Sequence, residues 1–120
     1  MTSRRAAVAW LLATIALSTA FVVAGLQPSV PKPLRAVSDD VLHAAAYAVL
    51  AFASAQAGRQ WGVRAWMLVG LAYAVLHGAG LEALQAVSPP RTAEWSDLAA
   101  DAVGALAGVG AAWVWARARQ

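Results

Sequence analysis

The sequence predicts an all-α membrane protein, with four transmembrane helices packed as an antiparallel bundle. Of its 120 residues, 61% are hydrophobic and 12% are charged, whereas ordinary soluble domains carry about 25% charged residues. A soluble chain of this length cannot enclose so much apolar surface. Short connections between apolar segments favour antiparallel neighbours. The predicted spans are 8–26, 41–57, 66–84 and 98–115.

Each predicted span is 17 to 19 residues long, slightly short of the ~20 residues that cross a bilayer core of ~30 Å. The first span could also be read as a signal peptide, with Arg4 and Arg5 as its basic start. Its apolar run exceeds the ~7–15 residues of a signal-peptide core, so we expect it to remain as a helix. The whole chain, 1–120, then forms one membrane domain.

Basic residues set the expected orientation. With both termini in the cytoplasm, six Lys and Arg residues lie inside and three outside, as the positive-inside rule requires. Five tryptophans near the predicted span ends are typical of membrane interfaces. The inside set is Arg4, Arg5, Arg59, Arg64, Arg117 and Arg119, and the outside set is Lys32, Arg35 and Arg91. The tryptophans are Trp61, Trp66, Trp95, Trp113 and Trp115.

Several classes of function are disfavoured by composition. The net charge of +3 does not indicate nucleic-acid binding, because the arginines are scattered and form no basic stripe. The absence of cysteine excludes disulfides, thiolate nucleophiles and sulfur metal ligands. We expect no cofactor. A second copy of the chain or another membrane protein stays open as a partner.

Polar residues gather at one end of the predicted bundle. In the predicted orientation they open the second span, close the third, and open the fourth, so helix direction alone places them all at the outer leaflet. Spacings of three or four residues put the members of each helix on one face, and Asp39 is also a candidate N-cap for the second helix. These residues are Asp39, Asp40, His43, Tyr47, Glu82, Gln85, Arg91, Glu94, Asp97 and Asp101.

Small residues predict close helix packing on the third and fourth spans. Gly104 and Gly108 form a GxxxG pair, and Gly70, Ala74 and Gly78 follow the same spacing. Such patterns let helix backbones approach one another in membranes. Asp101 shares a helix face with the first pair, so we expect the packing face of the fourth helix to carry this carboxylate inward.

The order of these motifs resembles the VanZ-like family of membrane proteins. Asp39-Asp40-Val41-Leu42-His43 with Tyr47 is similar to the family's D-K-x-x-H-x-x-x-Y, and Glu82-Ala83-Leu84-Gln85 to its E-x-x-Q. Arg91, Glu94 and Asp97 fit the R-x-x-[polar]-x-x-D that follows, and Gly104 and Gly108 fit its glycine-spaced tail. The resemblance covers residues 39–108.

This resemblance implies a bacterial cytoplasmic-membrane protein, in a family whose named member is linked to low-level resistance to the glycopeptide teicoplanin. Two positions depart from the family pattern. Asp40 stands where the family usually has Lys, and Asp101 where Asn is common. Both departures make the cluster more acidic and remove any role that depends on the lysine.

Candidate roles follow from residue chemistry. His43, Glu82 and Asp97 are the catalytic candidates, because imidazole and carboxyl groups transfer protons. Arg91 is the best anion ligand, since guanidinium binds phosphate in bidentate fashion. No tight ligand spacing indicates a metal site, and nothing fixes Ser88 or Ser96 as a nucleophile. The remaining candidate binding residues are Gln85, Asp39, Tyr47, Glu94 and Asp101.

Two functions fit this pattern, and the sequence leaves open whether the protein is an enzyme. The first is recognition of a phosphate-bearing membrane lipid, or of a lipid-linked cell-envelope precursor, at the outer leaflet. The alternative is a structural or regulatory membrane protein, in which the cluster is an internal salt-bridge network. A carboxylate such as Glu82 at a membrane boundary is a functional candidate by default, yet a buried pair with Arg91 would also matter for stability alone.

Overall fold

Four long helices make up the part of the protein that the structure, a computed structural model, describes: residues 3–27, 37–88 and 95–120. The helices are α1 (Arg4–Gly25), α2 (Asp39–Gln60), α3 (Trp66–Ala86) and α4 (Trp95–Ala118). Each is long and apolar enough to cross a membrane. The predicted all-α architecture is therefore confirmed for the described residues, with four helices that are long and apolar enough to span a membrane.

The helices extend beyond most of the predicted spans because polar residues complete their first and last turns. Ser38, not Asp39, is the N-cap of α2, and its hydroxyl accepts a hydrogen bond from the Val41 amide at 3.3 Å. The prediction that Asp39 caps this helix is wrong, since Asp39 is its first helical residue. Between α2 and α3, Gly62 adopts φ 79°, a backbone conformation that glycine takes without steric cost.

Helix α2 is the centre of the bundle and packs against each of the other three helices. Its buried residues Tyr47, Leu50 and Ala51 form a core with Ala74 of α3 and with α4 residues Ala105 and Val109. Helix α1 lies at the edge and buries only Ala7 and Thr14. The core is thus built mainly from α2, α3 and α4.

The distribution of polar and apolar side chains is the reverse of that in a soluble protein. The largest side chains that are fully buried among the described residues include Gln56, Gln85 and Asp101. By contrast, Leu68 is 64% exposed and Leu76 is 70% exposed. Large exposed apolar faces mark a surface that meets lipid or a partner, so this pattern agrees with four membrane-spanning helices.

Small residues bring α4 into direct contact with α2, as the glycine spacing predicted. A Cβ atom at Gly104 would collide with the Ala44 carbonyl of α2, and one at Gly108 with the Ala48 carbonyl. Gly70 of α3 packs in the same way against Ala51 and Ala55. Because lipid is as apolar as leucine, such close packing replaces the hydrophobic effect as the force that holds membrane helices together.

Replacing either glycine of this contact should weaken the bundle. We expect Gly104→Ala and Gly108→Ala each to destabilise the fold by about 1–3 kcal/mol, the usual cost of overpacking. The matched control is Gly110→Ala, since Gly110 has no neighbour within 4 Å of an added Cβ. Unfolding of the purified protein in mixed detergent micelles measures the difference. Equal effects at all three positions would show that the α2–α4 contact does not limit stability.

Candidate functional site

A hydrogen-bonded histidine and carboxylate lie at the centre of the polar cluster. His43 stands on the second turn of α2, and Asp101 on the second turn of α4. Nδ1 of His43 lies 2.8 Å from Oδ1 of Asp101. The Asp101 side chain is 1% exposed, so this bond forms away from bulk water. Because an ionised carboxylate only accepts hydrogen bonds, the His43 ring donates through Nδ1–H.

Two further carboxyl groups complete what we call the His43 cluster: His43, Glu82, Asp97 and Asp101. Nε2 of His43 lies 3.6 Å from Oδ2 of Asp97. One oxygen from each of Glu82 and Asp97, and one ring nitrogen of His43, lie within 4.8 Å of one another. The last turns of α3 therefore meet the first turns of α2 and α4 at this point.

Helix geometry places the cluster inside the bundle and not at its surface. Asp101 follows the first residue of α4 by six positions, which is about 9 Å along the axis. Asp97 and Asp101 are four residues apart and contact the same imidazole ring, as their shared helix face predicted. Gly78 of α3 makes room for Asp101, since a Cβ atom there would collide with its carboxylate.

Two buried acceptor atoms of the cluster have no hydrogen-bond partner among the described residues. They are Oδ1 of Asp97 and Oδ2 of Asp101. Within the described ranges, neither aspartate forms an ion pair with a lysine or arginine. A buried charge of this kind is costly unless it is paired or protonated. The cluster thus contains more carboxyl oxygens than its one imidazole can bond.

A second series of hydrogen bonds lies beside the cluster and connects α2 and α3 to α1. The Tyr47 hydroxyl of α2 lies 2.8 Å from Nδ1 of His77, and Nε2 of His77 lies 2.9 Å from the Ser18 carbonyl. A carbonyl can only accept, so Nε2 of His77 donates to Ser18, and in the neutral form of the ring Nδ1 accepts from the Tyr47 hydroxyl. The Tyr47 ring also stacks on His43, with 6.3 Å between ring centroids.

Gln85 ties the end of α1 to the same region of α3. Its side-chain amide donates to the Gly25 carbonyl at 2.8 Å, while its side-chain oxygen has no partner among the described residues. Leu81 packs tightly against Gly25 one turn earlier. Gln85 thus holds the last turn of α1 against α3, and it is only 1% exposed.

The structure brings together four of the predicted site residues and separates others. His43, Glu82, Asp97 and Asp101 form one group, and Tyr47 contacts it through the His43 ring. Asp39 is exposed at the start of α2. Arg91 and Glu94, the predicted anion ligand and its neighbour, lie outside the described residues.

Three side chains of this region bond to partners on other helices. His43 of α2 bonds to Asp101 of α4. Tyr47, a candidate binding residue, is 2% exposed and bonds to His77 of α3. His77 bonds to Tyr47 and Ser18, although only Tyr73 lies at helical spacing from it. In each case the true partner comes from another helix, where spacing along one helix carries no signal.

The arrangement of the His43 cluster suits two kinds of chemistry. With Nδ1–H held by Asp101, the Nε2 atom faces the other carboxyl groups and can accept a proton or bind a cation. A carboxylate that fixes the tautomer of a histidine is common both in acid–base sites and behind metal-binding histidines. Local spacing could not reveal this donor set, because its three members stand on three helices.

Compared with known proteins, the chain matches no family model, no curated protein and no solved structure.

The partly buried Tyr47–His77 hydrogen bond should contribute measurably to stability. We expect Tyr47→Phe to destabilise the fold by roughly 1–3 kcal/mol, because it leaves the His77 acceptor buried and unsatisfied. The matched control is Tyr73→Phe, which removes the hydroxyl of a 38% exposed ring bonded to Ser18. Unfolding in detergent micelles compares the two. A Tyr47→Phe effect no larger than that of the control would contradict this role.

When their rings are neutral, the two histidines should carry the proton on opposite ring nitrogens. We expect His43 to carry its proton on Nδ1 and His77 on Nε2, because their carboxylate and carbonyl partners accept at those atoms. Nitrogen-15 spectra of histidine-labelled protein distinguish the tautomers, and His43→Gln and His77→Gln assign the signals. Identical tautomers for both rings would rule out one of the two hydrogen-bond assignments.

Proposed function

We propose that this protein binds a phosphate-bearing membrane lipid, or a lipid-linked cell-envelope precursor, at the His43 cluster. The observation that supports this most is the convergence of His43, Glu82, Asp97 and Asp101 on one place in an otherwise apolar four-helix bundle. Polar and ionisable groups inside a membrane are costly and usually mark functional sites. A headgroup is the polar ligand that a membrane supplies at this depth.

The proposed topology is an antiparallel bundle with both termini in the cytoplasm. Contacts of Gly104 with Ala44 and of Gly108 with Ala48 follow the same chain direction on α2 and α4. Tyr47 near the start of α2 bonds to His77 in the second half of α3, which supports a reversed direction for α3. The excess of Lys and Arg at the termini and in the α2–α3 connection then places the cluster at the outer leaflet.

In this proposal Arg91 supplies the phosphate contact. It lies between α3 and α4 in the sequence, nine residues after Glu82 and six before Asp97. A guanidinium group binds phosphate oxygens through two parallel hydrogen bonds. His43 and the carboxyl groups orient the rest of the headgroup through its hydroxyl or amine groups. The resemblance to VanZ-like proteins adds a bacterial cytoplasmic membrane, a cell-envelope ligand and a link to glycopeptide tolerance.

Lipid retention tests the proposal directly. We expect native mass spectrometry of the gently extracted protein to show a phosphate-bearing lipid on the parent and none on Arg91→Ala. The matched control is Arg64→Ala, which removes an equal charge from the exposed α2–α3 connection. Retention by the control and loss from Arg91→Ala would name the ligand class. Equal, non-selective lipid carry-over in all three proteins would refute the proposal.

A structural or regulatory role is the second candidate, and the buried hydrogen bonds favour it. Tyr47, His77 and Gln85 link three helices through partly buried hydrogen bonds, as a scaffold would require. If the cluster is only an internal salt-bridge network, the double charge swap of Glu82→Arg with Arg91→Glu should restore the stability that either single change removes. Failure of the swap to restore stability would exclude this second function.

A further inference from the structure

We infer that His43, Glu82 and Asp97 bind one divalent transition-metal ion, of the type of Mn²⁺ or Zn²⁺. This inference deepens the proposed lipid-binding function. It rests on that function in one respect only, because the phosphate that would bind the ion belongs to the proposed lipid. The starting observation is a donor set of one nitrogen and two oxygens, drawn from α2, α3 and α4, whose atoms lie within 4.8 Å of one another.

The distances are close to those that one ion requires. Zinc binds imidazole nitrogen and carboxylate oxygen at about 2.0–2.2 Å, which separates neighbouring donors by about 3.4 Å in a tetrahedral site. Nε2 of His43 and Oδ2 of Asp97 are already 3.6 Å apart. An oxygen of Glu82 completes a donor set whose three atoms all lie within 4.8 Å of one another, with one donor atom from each residue.

The Asp101 hydrogen bond is an independent indication of a metal ligand. Histidines that bind metals usually donate their other ring N–H to a carboxylate, which fixes the ring and strengthens it as a ligand. Asp101 accepts from Nδ1 of His43 at 2.8 Å, so the Nε2 lone pair faces Asp97. His77 lacks this freedom, since both its ring nitrogens are occupied by Tyr47 and Ser18.

Buried acceptor atoms provide a further indication. Asp97 is 7% exposed, and its Oδ1 atom has no hydrogen-bond partner among the described residues. A cation satisfies such an oxygen and offsets the negative charge of the surrounding carboxylates. Imidazole together with carboxylates suits Mn²⁺, Fe²⁺ or Zn²⁺, whereas Mg²⁺ and Ca²⁺ prefer all-oxygen sets.

A bound ion would explain how a cluster of acidic residues can bind an anionic headgroup. Three protein ligands leave coordination positions open on the ion, as in catalytic zinc sites. Phosphate oxygens readily occupy such positions. The ion then offsets most of the negative charge of ionised carboxyl groups at the site and offers its open positions to phosphate oxygens.

Titration with Mn²⁺ tests the inference without any lipid. The full-length protein is purified in a maltoside detergent, stripped with EDTA and titrated with Mn²⁺, and free Mn²⁺ is followed by electron paramagnetic resonance. We expect one ion per chain, displaced by Zn²⁺ but not by an equal concentration of Mg²⁺. His43→Gln and Glu82→Gln should abolish binding, and Asp101→Asn should weaken it by about 10–100-fold.

Two controls keep the result interpretable. His77→Gln removes the other partly buried histidine and should bind Mn²⁺ as the parent does, and Asp40→Asn removes an exposed acidic residue nearby in sequence. Circular dichroism shows which variants still fold. The inference is overturned if the parent leaves all Mn²⁺ free, or if folded His43→Gln binds as tightly as the parent.

Lipid retention measured on the same samples separates this inference from the proposed function. Metal binding with no selective lipid supports the ion site and refutes lipid recognition. Selective lipid on an EDTA-stripped protein that binds no Mn²⁺ supports lipid recognition and overturns the ion site. Lipid that is lost on stripping and regained with Mn²⁺ supports both.

Discussion

The cost of burying carboxyl groups in an apolar bundle is the constraint on which the rest of this structure depends. Asp101 is 1% exposed and Asp97 is 7% exposed, and each would lose several kcal/mol of hydration if it were ionised without a partner. The hydrogen bond from His43 to Asp101 reduces that cost at the deepest point. It also requires α2 and α4 to stay close and in one register.

The small residues of the bundle follow from this requirement. Gly104 and Gly108 let α4 lie directly on the Ala44 and Ala48 carbonyls, which brings Asp101 within reach of His43. Gly78 leaves space for the same carboxylate on the α3 side. Larger residues at these positions would separate the helices and leave the carboxylate without its donor. The close packing of α2 and α4 and the hydrogen bond between His43 and Asp101 therefore depend on the same small residues.

Much of the fold was predictable, because hydropathy and helix periodicity are local properties of the sequence. The four long apolar helices, the inward face of Asp101 and the glycine contacts all follow from spacing within one helix. The partners of His43, Tyr47 and His77 were not predictable in this way. They stand on different helices, and the rotation of one helix against another depends on packing that no single segment encodes. The three-helix donor set of His43, Glu82 and Asp97 escaped detection for the same reason.

The number of carboxyl groups favours a binding site over a scaffold. One imidazole–carboxylate pair, such as His43 with Asp101, would suffice to fix the register of two helices. Replacing a buried ion pair by apolar residues is often neutral or stabilising, so additional buried carboxyl groups bring a scaffold little benefit. Glu82 and Asp97 nevertheless lie beside the same ring, where they add more carboxyl oxygens than the imidazole can bond. These additional carboxyl groups have a function if the cluster binds a positive partner, either a metal ion or a guanidinium group. An anionic headgroup can then bind to that partner.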